Sequence, residues 1–252
     1  MSGFHVVIPA RYASTRLPGK PLLDIAGKPM LAHVYERACQ SQAQRVLIAT
    51  DDERIAAVAE SWGADVLMTA ATHPSGTDRL QDVALQMGWD DATCVVNVQG
   101  DEPLLPPALI DQVAANLLAR PHVAIATLAE PITSWHDLEQ PQIVKVVRDV
   151  QGLACYFSRS PIPYLRDEQA RAAAKPPPQL YWRHLGLYAY RVGFLHDYVR
   201  WPQADSELAE SLEQLRALHH GARIHVDACL QPLPAGVDTE ADLLRVRALL
   251  GG

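Results

Sequence analysis

Three cationic side chains follow the first apolar run of the chain, within the segment VIPARYASTRLPGKPL at residues 7–22. Arg11, Arg16 and Lys20 supply two guanidinium groups and one ammonium, while the prolines and Gly19 favour an open turn. Cations held on such a turn can bind anionic oxygens, and a polyphosphate would engage all three. The segment has neither a G-x-G-x-x-G pattern nor a P-loop ending, which disfavours dinucleotide-binding and P-loop enzymes. A solvated turn with incidental charge is the alternative.

Two acidic segments could supply ligands for a hard metal ion. The apolar run in VVNVQGDEP at residues 95–103 leads through Gly100 directly into Asp101 and Glu102. A carboxylate near a polyphosphate is a suitable ligand for Mg²⁺, and we favour Asp101, although the sequence does not separate the two neighbouring acids. Asp238 in GVDTE follows another apolar run and could reach the same ion from a distant loop. The alternatives are an acidic turn at residues 101–103 and a helix-start role for Asp238.

The histidines indicate a functional site less clearly than the cationic and acidic segments do. The ten histidines show no zinc-ligand spacing, and the neighbouring His219 and His220 of a helix-like segment would point apart. His184 is more informative because it stands beside Arg183 in a strand-like run. A satisfied buried histidine and a ligand contact are the two interpretations of His184.

The elements that must position these residues alternate along the first half of the chain. Continuous apolar runs such as CVVNV are typical of strands buried on both faces of a parallel sheet. Ligands of such sheets bind at the carboxyl ends of the strands, where the cationic and acidic loops would meet. Strands are predicted at 5–10, 45–50, 64–69, 94–99 and 122–129, and helices at 27–41, 52–61, 76–88 and 106–120.

The second half of the sequence has a different pattern of apolar runs and turn residues. From about residue 143, short strand-like runs are separated by proline, glycine and charged turns, with AAAKPPPQ as an exposed loop. This pattern predicts an antiparallel excursion over roughly residues 143–205, followed by helices at 206–220 and 239–250. Thr239 is a suitable N-cap for the last helix. We therefore predict a single α/β domain over residues 1–252, with a mostly parallel central sheet and helices on both faces.

Composition limits the function classes. The formal charge of −7 argues against a protein that coats nucleic acid or an anionic membrane. We see neither a membrane-spanning run nor the features of a signal peptide, and we expect a cytoplasmic protein. The four scattered cysteines lack C-x-x-C spacing, so reduced, buried thiols are predicted instead of a zinc site or a disulfide framework.

Taken together in chain order, several motifs resemble the 3-deoxy-manno-octulosonate (Kdo) cytidylyltransferase family, whose members are CMP-Kdo synthetases of Gram-negative bacteria. The resemblance covers nearly the whole chain. The motifs are IPARYASTRLPGKPL at 8–22, SGTDRL at 75–80, VNVQGDEP at 96–103, YFSRSPIP at 156–163, RHLGLYAYR at 183–191, LEQLR at 212–216 and GVDT at 236–239. It implies a Rossmann-like nucleotidyltransferase fold, a homodimer, and Mg²⁺-dependent joining of CTP and Kdo into CMP-Kdo and pyrophosphate for lipopolysaccharide synthesis.

The resemblance also implies roles for individual residues. Arg11 and Lys20 match triphosphate contacts, with Arg16 on the same loop, and Asp101 and Asp238 match the metal ligands. Arg11, Lys20 and Asp101 form the implied catalytic set. Ala10, Ser75 and Arg79 lie on segments that surround the cytidine in the family, and the sugar-acid side is matched by Gln99, Arg159, His184, Glu213 and Gln214.

Two departures and two alternatives accompany this interpretation. Asp78 stands where the family commonly has Glu, and the loop at residues 166–179 differs in length and composition, which leaves the dimer edge open. A related cytidylyltransferase for another sugar acid, such as sialate or 8-amino-Kdo, would use the same phosphate and metal residues. A nucleotide-binding module without turnover is the alternative from a different class, and the presence of both Asp101 and Asp238 argues against it.

Overall fold

The computed structural model describes residues 3–13 and 17–251. The main sheet contains β1 (Phe4–Ala10), β4 (Arg45–Thr50), β5 (Val66–Met68), β6 (Cys94–Asn97), β7 (Ile125–Pro131), β10 (Trp182–Arg191) and β11 (Ile224–Ala228). Across the sheet these strands have the order β11-β7-β10-β6-β1-β4-β5. The short pair β2 (Asp24–Ile25) and β3 (Lys28–Pro29) stands apart, while β8 (Lys145–Arg148) and β9 (Ala154–Ser158) attach to β10.

The parallel part of the sheet follows from its apolar strands. β1 pairs in parallel with both β4 and β6, and all four residues of β6 are buried. Apolar residues from β1 enter two separate core clusters, with Val6 and Ile8 in one and Val7 in the other. Because successive side chains of a strand point to opposite faces, both faces of β1 are covered. The predicted α/β fold with a mostly parallel central sheet is therefore confirmed.

Helices cover the two faces and begin where the sequence signals indicated. The side chain of Asp52 accepts from the backbone N–H of Arg54, and Thr239 forms a capping box with Asp242. The helices are α1 (Met30–Cys39), α2 (Glu53–Ser61), α3 (Gly76–Met87), α4 (Pro107–Leu118), α5 (Trp135–Glu139), α6 (Glu168–Arg171), α7 (Val192–Tyr198), α8 (Asp205–Glu210), α9 (Gln214–His219) and α10 (Glu240–Leu250).

Strand β10 differs from the simple picture of an excursion outside the parallel scaffold. It lies inside the main sheet, antiparallel to β6 on one side and to β7 on the other. Leu185, Leu187 and Ala189 are buried there, so the strand has the apolar content that a central position needs. Within the predicted excursion, β8 and β9 form an antiparallel pair beside the main path of the sheet, and they are linked to it through Arg183 and Lys145.

The helix predicted over residues 206–220 is two helices. Ser211 ends α8 with φ at +51°, a left-handed conformation that a continuous helix does not allow. A buried ion pair fixes the corner, because Glu207 of α8 lies 2.6 Å from Arg216 of α9. The break turns residues 211–214 toward the sheet.

The thiols differ from expectation as well. Cys94 alone is fully buried among the four free cysteines, whereas Cys39 and Cys155 are exposed and Cys229 is intermediate. Cys155 lies in the first part of β9, where Cys155 and Tyr156 are both exposed, so a strand-like run did not imply burial there. Within residues 3–13 and 17–251, no helix is long and apolar enough to cross a membrane.

Candidate active site

Three of the predicted site residues meet at the carboxyl edge of the sheet. Lys20 Nζ lies 2.5 Å from Asp101 Oδ2 and 3.0 Å from Asp238 Oδ1. The two carboxylates, remote in sequence, therefore point at one position. The Lys20 side chain is 13% exposed, whereas those of Asp101 and Asp238 are 35% and 54% exposed, so the cluster lies at a mouth that solvent reaches.

Glycines allow the three loops to come this close. Gly19, with φ at +66°, precedes a 3₁₀ turn at Lys20–Leu22 and donates to the carbonyl of Tyr12. A Cβ atom on Gly100 would lie 3.1 Å from the carbonyl oxygen of Pro9, and one on Gly236 would lie 3.1 Å from that of Asp101. The backbone N–H of Val237 also donates to the Asp101 carbonyl at 2.9 Å, which ties the two acidic loops together.

Arg11 joins the first loop to the start of α3. Its guanidinium donates to the carbonyl oxygens of His73 at 2.7 Å and Ser75 at 3.2 Å. The ring of His73 is held in turn by the Asp82 carboxylate at 2.7 Å. Arg11 is therefore oriented by backbone acceptors beside the Lys20 cluster. Arg16 lies outside the described residues, and its predicted contact stays a prediction.

Two adjoining cavities make up the cleft. The first, of about 230 Å³, is lined by Pro9, Ala10, Arg11, Lys20, Pro21, Gly76, Gln99, Gly100 and Asp101. The second, of about 290 Å³, is lined by Gly76, Thr77, Asn97, Gln99, Ile125, Tyr188, Tyr190, Phe194, Tyr198, Ser211, Leu212, Glu213, Gln214 and Ala217. Gly76 and Gln99 line both, so the cavities are neighbours. We call them the cationic cavity and the tyrosine cavity.

The tyrosine cavity contains three of the residues predicted for a sugar acid: Gln99, Glu213 and Gln214. Glu213 is solvent-accessible but surrounded by protein, and this desolvation raises the pKa of its carboxyl above the ordinary value. Thr77 donates to Glu213 Oε2 at 3.0 Å and favours the charged form. The cavity therefore has acceptor and donor groups suited to a polyhydroxylated ligand.

His184 and Arg159 stand behind this cavity. The His184 ring packs against Phe157 and against Tyr188, with centroids 5.0 and 5.2 Å apart, and Nε2 lies 3.1 Å from the Thr127 hydroxyl. Burial lowers the pKa of His184 to about 3, so the ring is neutral. Arg159 Nε donates to the Glu210 carbonyl at 2.6 Å and Nη2 to that of Ser211 at 3.3 Å.

The residues predicted beside a nucleoside take different positions. Ala10 lines the cationic cavity, and Ser75 caps α3 by accepting from the N–H of Asp78. Arg79 is completely buried; it donates to the Thr69 hydroxyl, and its Nη2 lies 3.3 Å from Asp51 Oδ2. Burial lowers the pKa of Arg79, while Asp51 opposes the change. These contacts support the wall beneath the cleft, and a direct nucleoside contact by Arg79 stays a prediction.

Sequence reasoning missed the aromatic wall. Tyr188 and Tyr190 stand two residues apart on β10 and therefore share one face, with centroids 5.6 Å apart, and Tyr198 follows on α7. The signal was present in RHLGLYAYR, where polar aromatic residues alternate with small or aliphatic ones. Asn97, the polar residue of β6, also lines the cavity, and among residues 3–13 and 17–251 its buried Oδ1 has no hydrogen-bond partner.

The carboxylate pair can be tested against a metal ion. Within the described part of the chain, no three His, Cys, Asp or Glu side chains are grouped closely enough to bind a metal. Mg²⁺ does not require such a group, since it commonly takes one or two carboxylates together with substrate phosphates and water. Asp101 and Asp238, which already converge on a cation, fit that requirement.

The carboxyl edge of this open α/β sheet combines fixed cations and paired carboxylates with an adjoining polar cavity. This combination defines a protein class that binds a phosphorylated nucleotide beside a second ligand. The family model for cytidylyltransferases matches residues 5–224. The chain belongs to the 3-deoxy-manno-octulosonate cytidylyltransferase family, which confirms the resemblance found in its motifs.

Individual relatives extend over the whole chain. It is 59% identical to the 3-deoxy-manno-octulosonate cytidylyltransferase of Hahella chejuensis (strain KCTC 2396), covering 99% of this chain and 98% of the relative. Identity is 60% with the protein of that name from Cellvibrio japonicus (strain Ueda107), with 98% of each covered. A solved CMP:2-keto-3-deoxy-manno-octonic acid synthetase complexed with CTP has a TM-score of 0.87 and 43% identity over 98% of each chain. A Leptospira borgpetersenii cytidylyltransferase, 16% identical with a TM-score of 0.61 and coverage of 98% and 86%, supports the fold alone.

Proposed function

We propose that this protein is a Mg²⁺-dependent cytidylyltransferase that joins CTP and Kdo to give CMP-Kdo and pyrophosphate. The relatives' names support the substrates, and the solved relative binds CTP. The observation that carries the proposal is the contact of Lys20 with both Asp101 and Asp238 beside two adjoining cavities. One cavity has the charge for a triphosphate, and the other has the polar lining for a sugar acid.

The chemical obstacle is negative charge, because a carboxylate-bearing acceptor must approach a triphosphate. Asp101 and Asp238 would hold the Mg²⁺ ion, with triphosphate oxygens and water completing its ligands. The ion, when bound, neutralises phosphate charge and favours the ionised form of the attacking hydroxyl. Lys20 would then turn from the carboxylates toward the triphosphate, since an ammonium cannot share their oxygens with the ion at full strength.

The remaining cations prepare the leaving group. The backbone carbonyls of His73 and Ser75 fix Arg11 beside the cationic cavity, so its other guanidinium N–H groups can bind phosphate oxygens without reorganisation. Arg16 supplies a third cation on the same loop. The acceptor hydroxyl oxygen bonds to the α-phosphorus as the bond to the bridging oxygen breaks, pyrophosphate leaves, and the hydroxyl proton passes to water in the open cleft.

The tyrosine cavity receives the sugar acid in this proposal. Glu213 and Gln214 would bind its hydroxyl groups, and Gln99, which lines both cavities, would lie next to the reacting atoms. Arg159 and His184 lie behind the tyrosine cavity and would support the residues that bind the sugar acid. Because the His184 ring is neutral, it can support Tyr188 in the cavity wall without a buried counter-charge.

Pyrophosphate release by purified protein supplied with CTP, Kdo and Mg²⁺ tests the proposal. We expect turnover with all three components and none when any is left out. Competition between Kdo, 8-amino-Kdo and sialate decides the acceptor, since the cognate acid should release pyrophosphate most efficiently. CTP binding without turnover on any of these acids would contradict the proposal and favour a nucleotide-binding module.

The proposal also covers the use of the product, the compartment and the oligomeric state of the enzyme. The product would feed lipopolysaccharide synthesis, the enzyme would act in the cytoplasm, and it would form a homodimer through the region of residues 143–205. Four free cysteines are consistent with a reducing compartment. Sedimentation of the purified protein tests the dimer.

A further inference from the structure

The side chain of Thr77 links the N-terminus of α3 to the start of α9. Thr77, the second residue of α3, is 5% exposed and lines the tyrosine cavity. Its hydroxyl donates to Glu213 Oε2 at 3.0 Å, across a separation of 136 residues. The residue before it, Gly76, lines both cavities. The Thr77 hydroxyl thus connects the helix start beside the cationic cavity with a carboxylate inside the tyrosine cavity.

Glu213 needs such a contact to keep one orientation. It immediately precedes α9, and its backbone carbonyl accepts from the Tyr198 hydroxyl at 3.3 Å. The Tyr198 contact fixes the main chain only, so the carboxylate can rotate about its own side-chain bonds. Thr77 is β-branched, and a buried β-branched side chain has few rotamers. It therefore offers a rigid donor to a flexible acceptor.

We propose that Thr77 is a positioning residue for the acceptor: its hydroxyl holds the Glu213 carboxylate toward the sugar acid and links that orientation to the helix start that borders the nucleotide. This inference rests on the proposed function, because it assigns the tyrosine cavity to the acceptor. The chemistry it serves is recognition of hydroxyl groups on an anionic polyol, for which Glu213 must be ionised and aimed.

The groups around Glu213 determine how strongly the Thr77 hydroxyl affects the pKa of its carboxyl. Burial raises the pKa of Glu213, while Thr77 and Ser75 act in the other direction. Arg216 of α9 favours the carboxylate and Asp78 of α3 disfavours it. The remaining titratable neighbours are Tyr188 and Tyr190 of β10 and Tyr198 of α7, all neutral because burial raises their pKa values. Loss of the Thr77 hydroxyl therefore moves the Glu213 pKa further upward.

The test is Thr77→Val, which keeps the shape and removes the hydroxyl. We expect the KM for Kdo to rise about tenfold, with a smaller change in the KM for CTP. The acid limb of kcat/KM for Kdo should move to higher pH, which a purely structural role for Thr77 would not produce. Thr77→Ser restores the donor and should return both values to within threefold of the wild type.

A control variant and a double variant show whether an effect of Thr77→Val arises from its contact with Glu213. Thr93→Val is the matched control, because Thr93 donates to the Asp90 carboxylate at 2.9 Å in an exposed loop outside both cavities, and it should leave kinetics unchanged. Combining Thr77→Val with Glu213→Gln measures coupling, and the two effects on KM should not add. Melting curves establish that each variant is folded; if Thr77→Val is not, Thr77→Ala takes its place.

The outcomes separate the two proposals. A wild-type protein that releases no pyrophosphate from CTP and Kdo overturns the proposed function. An active wild type, with Thr77→Val unchanged in its KM for Kdo and in its pH profile, overturns the role of Thr77 alone. Equal losses in Thr77→Val and Thr77→Ser would also overturn it, because the hydroxyl would then be irrelevant.

Discussion

Replacement of Lys20 by methionine should change two measured quantities in opposite directions. The ammonium of Lys20 contacts both Asp101 and Asp238. It therefore competes with a divalent cation for their oxygens, yet it serves the leaving pyrophosphate during turnover. Lys20→Met keeps most of the side-chain volume and removes the charge. We expect weaker catalysis together with tighter binding of Mg²⁺ by the free enzyme.

The magnitudes follow from the two contacts. At an effective dielectric of ~20, an ammonium and a carboxylate at contact distance attract by roughly 6 kcal/mol before desolvation is counted. Solvent reaches both carboxylates, which reduces the net effect of such a pair to about 1 kcal/mol. The Kd for Mg²⁺ without CTP should therefore fall about fivefold. Loss of one preorganised donor to the leaving group costs about 3 kcal/mol, or roughly a hundredfold in kcat.

Titration calorimetry with Mg²⁺ and pyrophosphate release at saturating substrates give the two values. Lys28→Met is the control, because Lys28 and Glu36 form an ion pair at 2.6 Å whose side chains are 52% and 50% exposed. It should change neither quantity by more than twofold. A kcat of Lys20→Met within threefold of the wild type would show that Lys20 does not serve the leaving group. An unchanged Kd for Mg²⁺ would show that ion and ammonium do not share a site.

Three further predictions concern single residues. Asp101→Asn should fold normally and lose Mg²⁺-dependent pyrophosphate release; normal turnover at millimolar Mg²⁺ would remove Asp101 from the ligand set. Glu207→Gln leaves Arg216 buried without its counter-charge and should lower the free energy of unfolding by about 3–5 kcal/mol in urea titrations, whereas a loss below 1 kcal/mol would contradict the buried pair. Burial lowers the pKa of His184 from its ordinary value of 6.5 to about 3 in the folded protein, so the unfolded protein binds the extra proton and stability falls on acidification below pH 6.5. Between pH 6.5 and 4.5, the free energy of unfolding of His184→Gln should fall by about 2–3 kcal/mol less than that of the wild type. Equal decreases for the two proteins in urea titrations at these pH values would refute this prediction.

The sequence was most informative where one rule of sheet geometry applied. Loops that follow parallel strands meet at one edge, and this placed Lys20, Asp101 and Asp238 together although nothing in their spacing required it. Their contact distances and the glycines that permit them depend on tertiary packing. Gly236, for example, is needed because its backbone meets the Asp101 carbonyl, which no local pattern reveals.

The missed features share a physical cause, because each depends on neighbours distant in sequence. Apolar alternation in RHLGLYAYR predicts a strand but not its insertion between β6 and β7. Residues 206–220 have helical character, and only the Glu207–Arg216 pair and the left-handed Ser211 divide them. Arg79 illustrates the same limit, since its motif suggests a ligand contact while its guanidinium is completely buried beside Thr69 and Asp51.

The position of β10 has a consequence for how the chain folds during synthesis. Strands β6 and β7 do not pair with each other, since both pair with β10, which is made some fifty residues after β7 ends. Until residues 182–191 leave the ribosome, both strands present unpaired backbone groups at the centre of the future sheet. The growing polypeptide can therefore pair β6, β1, β4 and β5 early, but it cannot join β7 to them before β10 is made, and a fragment ending at residue 181 should remain aggregation-prone. Ribosome stalling before and after β10, followed by proteolysis, would reveal that protection of β7 arrives late.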